Sequence, residues 1–206
     1  MNILGISFLS DASAAIIQDG VVVSAVGEER LNRIKLWNGI PRASIDKVLD
    51  LAGLSIDEID LIATHGAAPL EPDSRPFEAR EAEIRRSDLS PDRREAQIEH
   101  LRTRLEHERQ VLGVRTPAYL NEIRSFGRPV RVFGHHESHA ASAYYGSGWD
   151  DGYVLTIDGW GEDGSSTLWH GEQGKLIPLS RSYTFDSLGY FYGSITKSLG
   201  FVPHRH

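Results

Sequence analysis

Apolar residues crowd three short stretches near the start of the chain, residues 3–8, 13–17 and 21–26, and Gln18-Asp19-Gly20 separates the last two. Asp-Gly between β-branched runs favours a two-residue hairpin, because both positions tolerate positive φ. The pattern predicts an antiparallel meander. Ile45, Val48, Leu49 and Ala52 then recur at helical spacing behind Pro41, and Gly53 supplies a stop. The continuous run Leu61-Ile62-Ala63 predicts an inner strand over 59–64.

From residue 71 to residue 110 the pattern changes, with eleven acidic and nine basic side chains among forty positions. Ile98, Leu101, Leu105 and Leu112 keep helical spacing, which predicts an amphipathic helix with a charge-laced outer face over at least the second half. Such a stretch is a solvated helical insertion or, on a sharper reading, an interface for a partner protein. Residues 129–133 read as a strand and Gly146-Ser147-Gly148 as a boundary. Three more strands, 153–157, 166–170 and 176–179, precede a helix over about 190–199. Strands followed by a helix thus occur twice. The expectation is an α/β protein of two lobes, 1–148 with the charged insertion at about 71–115, and 149–206, the start of the second lobe.

A chain of 206 residues with 40% apolar content can bury one substantial core or two small lobes. Its 22 Lys plus Arg against 29 Asp plus Glu leave a net charge of −7, which works against non-specific attraction to nucleic acid or an anionic membrane. The absence of cysteine excludes disulfides, thiolate metal ligands and a cysteine nucleophile. No basic segment precedes the first apolar run, Asp11 follows it, and no apolar run reaches the roughly 20 residues of a membrane span. A soluble, cytoplasmic protein without membrane or nucleic-acid partners is expected.

HHESHAASA, residues 135–143, holds the densest candidate chemistry. His135 and His139 are four apart, so on a helix both imidazoles project from one face and can hold one ion; alternatively, the stretch is a polar helix start. Imidazole suits Fe, Zn, Ni or Cu better than Mg. Downstream, Asp158 ends an apolar strand and a glycine-rich turn follows, with Gly159, Gly161 and the hydroxyls of Ser165, Ser166 and Thr167. Backbone N–H groups there can approach a phosphate while the aspartate faces a cation; the other reading is an ordinary hairpin capped by Asp158. Ser7, Ser10, Asp11 and Ser13 cluster at the first bend, as a phosphate or ion site or as turn hydrogen bonds. Glu28-Glu29-Arg30 and Arg33-Ile34-Lys35 read on their own as a solvated set of ion pairs.

Taken together and in order, LGISFLSDASAAIIQDG, VGEERLNRIK, HHESHAASAYYGS, LTIDGWGEDGSS and SLGYFYGSITKSLGF resemble the N-terminal part of the NodU/CmcH-type O-carbamoyltransferases. The resemblance implies an actin-like, ribonuclease-H-like ATPase fold related to the tRNA threonylcarbamoyl transferases. It also implies that ATP and carbamoyl phosphate form a carbamoyl-adenylate, whose carbamoyl group passes to a hydroxyl of a small-molecule acceptor. Carried over by motif, His135, His139 and Asp158 hold a divalent ion, expected as Fe2+ with Zn or Mn as alternatives, and His136 supports them. Asp11 and Lys35 fall to catalysis, and Ser10, Ser13, Gly159, Gly161, Ser165 and Ser166 to the nucleotide. The implied partner is the remainder of the enzyme or a complementary domain, because the family continues beyond the position of His206 into a further aspartate ligand; a homodimer is compatible with the same reading. Ser10 and Leu36 stand where the family commonly has histidines, and a serine cannot carry a proton near neutral pH. This leaves a divergent actin-like ATPase or phosphotransferase, or an inactive binding module, as alternatives.

Overall fold

A computed structural model describes residues 1–9, 11–66, 75–161 and 164–203, and within them not the side chain of Leu112. Ser10, the Leu112 side chain, Glu162 and Asp163 therefore lie outside the described residues. Contacts divide the chain into two units, Met1–Ala67 with Val114–Gly134, and Ala68–Gly113 with His135–His206.

The first unit is built on the predicted meander: β1 (Asn2–Ser7), β2 (Ser13–Gln18) and β3 (Val21–Gly27) pair antiparallel. The β2–β3 loop has the expected two residues, with Asp19 at φ 50° and Gly20 at φ 86°. α1 (Glu28–Asn32) and α2 (Arg42–Ala52) follow, and β4 (Leu61–His65) then lies parallel between β1 and β5 (Val130–Phe133). The sheet order is β3-β2-β1-β4-β5, so β4 is the inner strand that its unbroken apolar run predicts. Leu4, Ile6, Ala14, Ile16 and Ile62 alternate inward and meet Ile45, Val48 and Leu49 of α2 and Leu120 and Ile123 of α5 (Thr116–Arg124). Each fully buried Leu or Ile contributes about 1.5–3 kcal/mol relative to an exposed one. Glu28, read from sequence as part of a solvated charged set, is buried instead. Its carboxylate accepts the N–H groups of Ser44 at 2.8 Å and Ala43 at 3.4 Å, donors that α2 leaves without a side-chain cap of its own.

The second unit repeats the start of this plan. β6 (Asp151–Gly161), β7 (Gly164–Glu172) and β8 (Lys175–Tyr183) form an antiparallel meander, followed by α7 (Leu188–Ser198). Strands in a meander followed by a helix thus occur twice in a mixed α/β chain, as the hydrophobic pattern predicts. α6 (His135–Ser147) packs on β6 and β7. The helix expected over the second half of the charged stretch is α4 (Pro91–Gln110), and a separate helix, α3 (Arg75–Arg86), precedes it because Ser90 and Pro91 supply a fresh N-terminus. Phe77, Ile84, Ile98, Leu101 and Leu105 form a small core between these helices, with Phe185 packed against it. The insertion is thus tied to the short turn Thr184–Asp186 that precedes α7. Among the described residues no helix is long and apolar enough to cross a membrane.

Candidate metal centre

α6 is rich in Ala and Ser, and its buried stripe is His136, Ala140 and Tyr144, spaced four apart. Tyr144 sets the seating of the helix. A Cβ on Gly171 would fall 2.4 Å from the Tyr144 ring, so the ring lies directly on β7. Its hydroxyl donates to the Asp150 carbonyl at 3.0 Å and accepts the Gly174 N–H at 3.1 Å. With that stripe facing the sheet, His135 and His139 project from the adjacent flank, one turn apart, as their spacing predicts.

Asp158 meets them from β6. The strand does not end at Asp158 as the apolar pattern suggests; it runs on to Gly161 through an irregularity. Four steps along β6, from Ile157 to Gly161, span only two along β7, from Ser166 to Gly164. Such a bulge changes the direction of a side chain without ending the pairing. Asp158 shares the parity of Thr156, whose hydroxyl meets His136, and its carboxylate therefore faces α6.

Three donor atoms converge. His135 Nε2 lies 2.9 Å from Asp158 Oδ2 and 3.0 Å from His139 Nε2, and His139 Nε2 lies 3.5 Å from the same Oδ2. Two imidazoles and one carboxylate are a donor set used by zinc and by non-haem iron, and four-coordinate ligands about 2.0–2.1 Å from an ion stand about 3.3 Å from one another. The separations here bracket that value, so the residues fit a small divalent ion. Hydrogen bonds from the His135 and then the His139 ring hold the Asp158 carboxyl well below the usual carboxylate range, against the opposing effect of burial. Asp158 Oδ1 accepts the Gly159 N–H at 2.7 Å, which fixes the rotamer that aims Oδ2 at the rings.

His136 does not join the group. Its Nδ1 is 2.7 Å from Thr156 Oγ1, which is 2.6 Å from Thr167 Oγ1, which accepts the Trp169 indole N–H at 2.6 Å. An indole N–H can only donate, so Thr167 Oγ1 accepts from Trp169, and the threonine pair ties the neutral His136 ring to β7. Burial pushes the His136 ring below its ordinary value, which favours this neutral form.

The other sequence candidates are placed as follows. A Cβ on Gly161 would fall 2.3 Å from His135 Cδ2 and 2.9 Å from His136 Nε2. A Cβ on Gly189 would fall 2.6 Å from the Gly159 Cα. Gly161 thus lets α6, and Gly189 lets α7, approach the strand closely. The Ser165 hydroxyl, buried, donates to the Tyr183 carbonyl at 2.8 Å, and Ser166 is half-buried opposite Ile157. In the first unit, Asp11 is exposed at φ 60°, Ser13 opens β2 half-buried, and Lys35 is exposed in a turn. Sequence reasoning overlooked Ser187, which caps α7 by accepting the Tyr190 N–H and donates to the Gly159 carbonyl at 2.7 Å. The Ser-x-x-Tyr start of a helical pattern carries a capping signal, but nothing local points it at Asp158.

Comparison with known proteins adds to this geometry. The family model described as carbamoyltransferase N-terminus matches residues 2–206. An uncharacterized protein of Synechocystis sp. is 34% identical over 204 residues, which are 97% of this chain and 32% of that protein. The nodulation protein NolNO of Sinorhizobium fredii is 34% identical over 197 residues, 95% of this chain and 26% of its own length. The chain thus spans about a quarter to a third of the length of these curated relatives. Among solved structures, YeaZ from Pseudomonas aeruginosa aligns at a TM-score of 0.46 and 16% identity over 88% of this chain and 66% of that one, too weak a likeness to carry an argument.

Proposed function

The chain belongs to the carbamoyltransferase N-terminal family, and on that premise we propose that it carries the metal- and nucleotide-binding residues of an enzyme that carbamoylates a small-molecule hydroxyl. The carbamoyl donor is carbamoyl phosphate, activated by ATP as a carbamoyl-adenylate. The observation that carries the metal assignment is the convergence of His135, His139 and Asp158 on one point. Fe2+ is the first candidate, with Zn2+ and Mn2+ as alternatives, since two imidazoles and a carboxylate suit each of them. When bound, such an ion supplies Lewis-acid stabilisation of negative charge on carbonyl and phosphate oxygens.

The remaining roles belong to the protein's own groups. Gly159 and Gly161 keep the backbone beside Asp158 free of side chains, which suits close approach of a phosphate. Ser165 and Ser166, on the neighbouring strand β7, and Ser13 with Asp11 in the first unit offer hydroxyls and a carboxylate, and the sequence adds Ser10 to that set. Lys35, an exposed cation, is suited to neutralise a phosphate or carbamoyl oxygen. The polypeptide that completes the length of the relatives is the expected partner. Serine at position 10 and leucine at position 36 favour a second reading, an ATPase or phosphotransferase that has lost carbamoyl transfer.

Metal analysis of the purified chain, with His139→Ala alongside, tests the centre. A stoichiometric divalent ion in the wild type and its loss in the variant are expected; full retention in the variant would overturn the ligand assignment. ATP-dependent consumption of carbamoyl phosphate with carbamate appearing on a hydroxyl acceptor separates transfer from ATP hydrolysis alone. Phosphate release without carbamate formation would favour the second reading.

A further inference from the structure

One side chain of the charged insertion, Arg104, reaches the helix that lies beside the candidate centre. Arg104, on α4, is half-buried, unlike Arg102 and Arg109 of the same helix, which stay exposed in surface ion pairs with Glu81 and Glu106. Its Nη2 donates to the Thr184 carbonyl at 2.9 Å. Its guanidinium lies 4.1 Å from the centroid of the Tyr190 ring and 5.5 Å from that of Phe185. An arginine held over an aromatic face and bonded to a carbonyl is attracted by the ring quadrupole and by the carbonyl dipole together.

The contacted residues bracket the segment that carries the Asp158 peptide. Thr184 and Phe185 precede Ser187, and Tyr190 follows it. Ser187 accepts the Tyr190 N–H at 3.1 Å and donates to the carbonyls of Gly159 at 2.7 Å and Asp158 at 3.1 Å. Gly189 packs on the same peptide so closely that a Cβ would come within 2.9 Å of the Asp158 carbonyl carbon. The first turn of α7 is therefore seated on the Asp158–Gly159 peptide, and Arg104 holds that turn from both sides.

From this arrangement we infer that Arg104 is a positioning residue for the Asp158 carboxylate, acting through the α7 N-terminus; the inference rests on the metal-centre reading above. The insertion is then a brace for the centre rather than a solvated appendage. The contacts of Arg104 are made with Thr184, Phe185 and Tyr190. Its effect is transmitted by Ser187 and Gly189 to the peptide whose N–H, that of Gly159, bonds Asp158 Oδ1.

The test uses the whole chain with Arg104→Met, which keeps length and apolar contact but removes charge and donors, and Arg104→Lys, which keeps a cation over Tyr190. Co2+ affinity is read from competition with a chromophoric chelator, and the exchange rate of the Gly159 amide by NMR on the metal-free protein. Arg104→Met is expected to weaken Co2+ binding by about three- to tenfold and to speed Gly159 exchange, with Arg104→Lys restoring most of both. Wild-type Gly159 exchange and wild-type affinity in Arg104→Met would overturn the inference. Where wild type itself binds no Co2+, the metal-centre reading fails and the Gly159 exchange rate alone decides on Arg104. Should Arg104→Met not fold, Tyr190→Leu removes the ring that the guanidinium covers, and unchanged Gly159 exchange there overturns the inference equally.

Discussion

Gly161→Ala is a single-methyl test of how the candidate centre is held. Gly161 lies outside the left-handed region, so an alanine there meets no intrinsic backbone strain, and any penalty comes from contact. The new Cβ would fall 2.3 Å from His135 Cδ2, 3.0 Å from its Cγ and 2.9 Å from His136 Nε2. Carbon atoms rest about 3.5 Å apart at closest comfortable contact, so the His135 ring must retreat by about 1.2 Å or the strand must yield by as much. His135 Nε2 is 2.9 Å from Asp158 Oδ2 and 3.0 Å from His139 Nε2, and a retreat of that size removes it from both. Forcing a methyl into a packed site destabilises by about 1–3 kcal/mol, and each kcal/mol lowers the melting temperature of a chain this size by about 2–4 °C. Displacing a ligand by about 1 Å is expected to weaken metal binding by about 10- to 100-fold, or about 1.4–2.8 kcal/mol. Thermal melting and Co2+ competition titration measure the two effects. Gly146→Ala, on α6, is the control: nothing lies within 4 Å of its Cβ, and alanine favours a helix, so it should lose neither stability nor affinity. Wild-type melting and wild-type Co2+ affinity in Gly161→Ala would refute the claim that the approach of β6 to α6 positions His135.

Two further predictions concern the scaffold. Tyr144→Phe deletes the hydroxyl that donates to the Asp150 carbonyl and accepts the Gly174 N–H, and should lower the free energy of unfolding in urea by about 1–3 kcal/mol; no loss would mean that water replaces both bonds without penalty. Glu58 caps the short turn at Ile56–Glu58, and the backbone N–H and hydroxyl of Ser55 hold its carboxyl below the ordinary value. With the folded value below the unfolded one of about 4.3, its stabilisation is full above that pH and fades as pH falls through the folded value. Glu58→Ala should therefore melt below wild type at pH 7, with the gap closing as pH falls through the folded value; a gap independent of pH would assign the loss to packing.

The first meander was legible because its information is local: alternation at Leu4, Ile6, Ala14 and Ile16, and an Asp-Gly pair whose side chains accept the required backbone. The helix at Arg42–Ala52 and the inner strand at Leu61–His65 were legible for the same reason. Glu28 was not, since a glutamate in a charged run looks solvated until the unprotected start of α2 folds over it. The charged insertion hid a break at Ser90-Pro91 and a core of its own, because sparse apolar residues spread over two helices carry little periodic signal. The Asp158 turn misled in another way: the apolar run ends at Ile157, whereas the strand continues to Gly161 through a bulge that no propensity marks.

By itself the sequence determined which side chains can hold an ion and that two of them share a helix face, because residue type and helical period are properties of the chain alone. It also determined the family, through motifs whose order along the chain is the signal. Only the tertiary structure set the distances at which Asp158 meets His135 and His139, turned His136 to a threonine pair, and brought Arg104 to the helix seated beside the carboxylate. Those are distances between residues separated by 23, 20 and 86 positions, set by strand register, a bulge and the close approach that Gly161 and Gly189 permit. Such separations are fixed by packing, and packing is a property of elements already brought together.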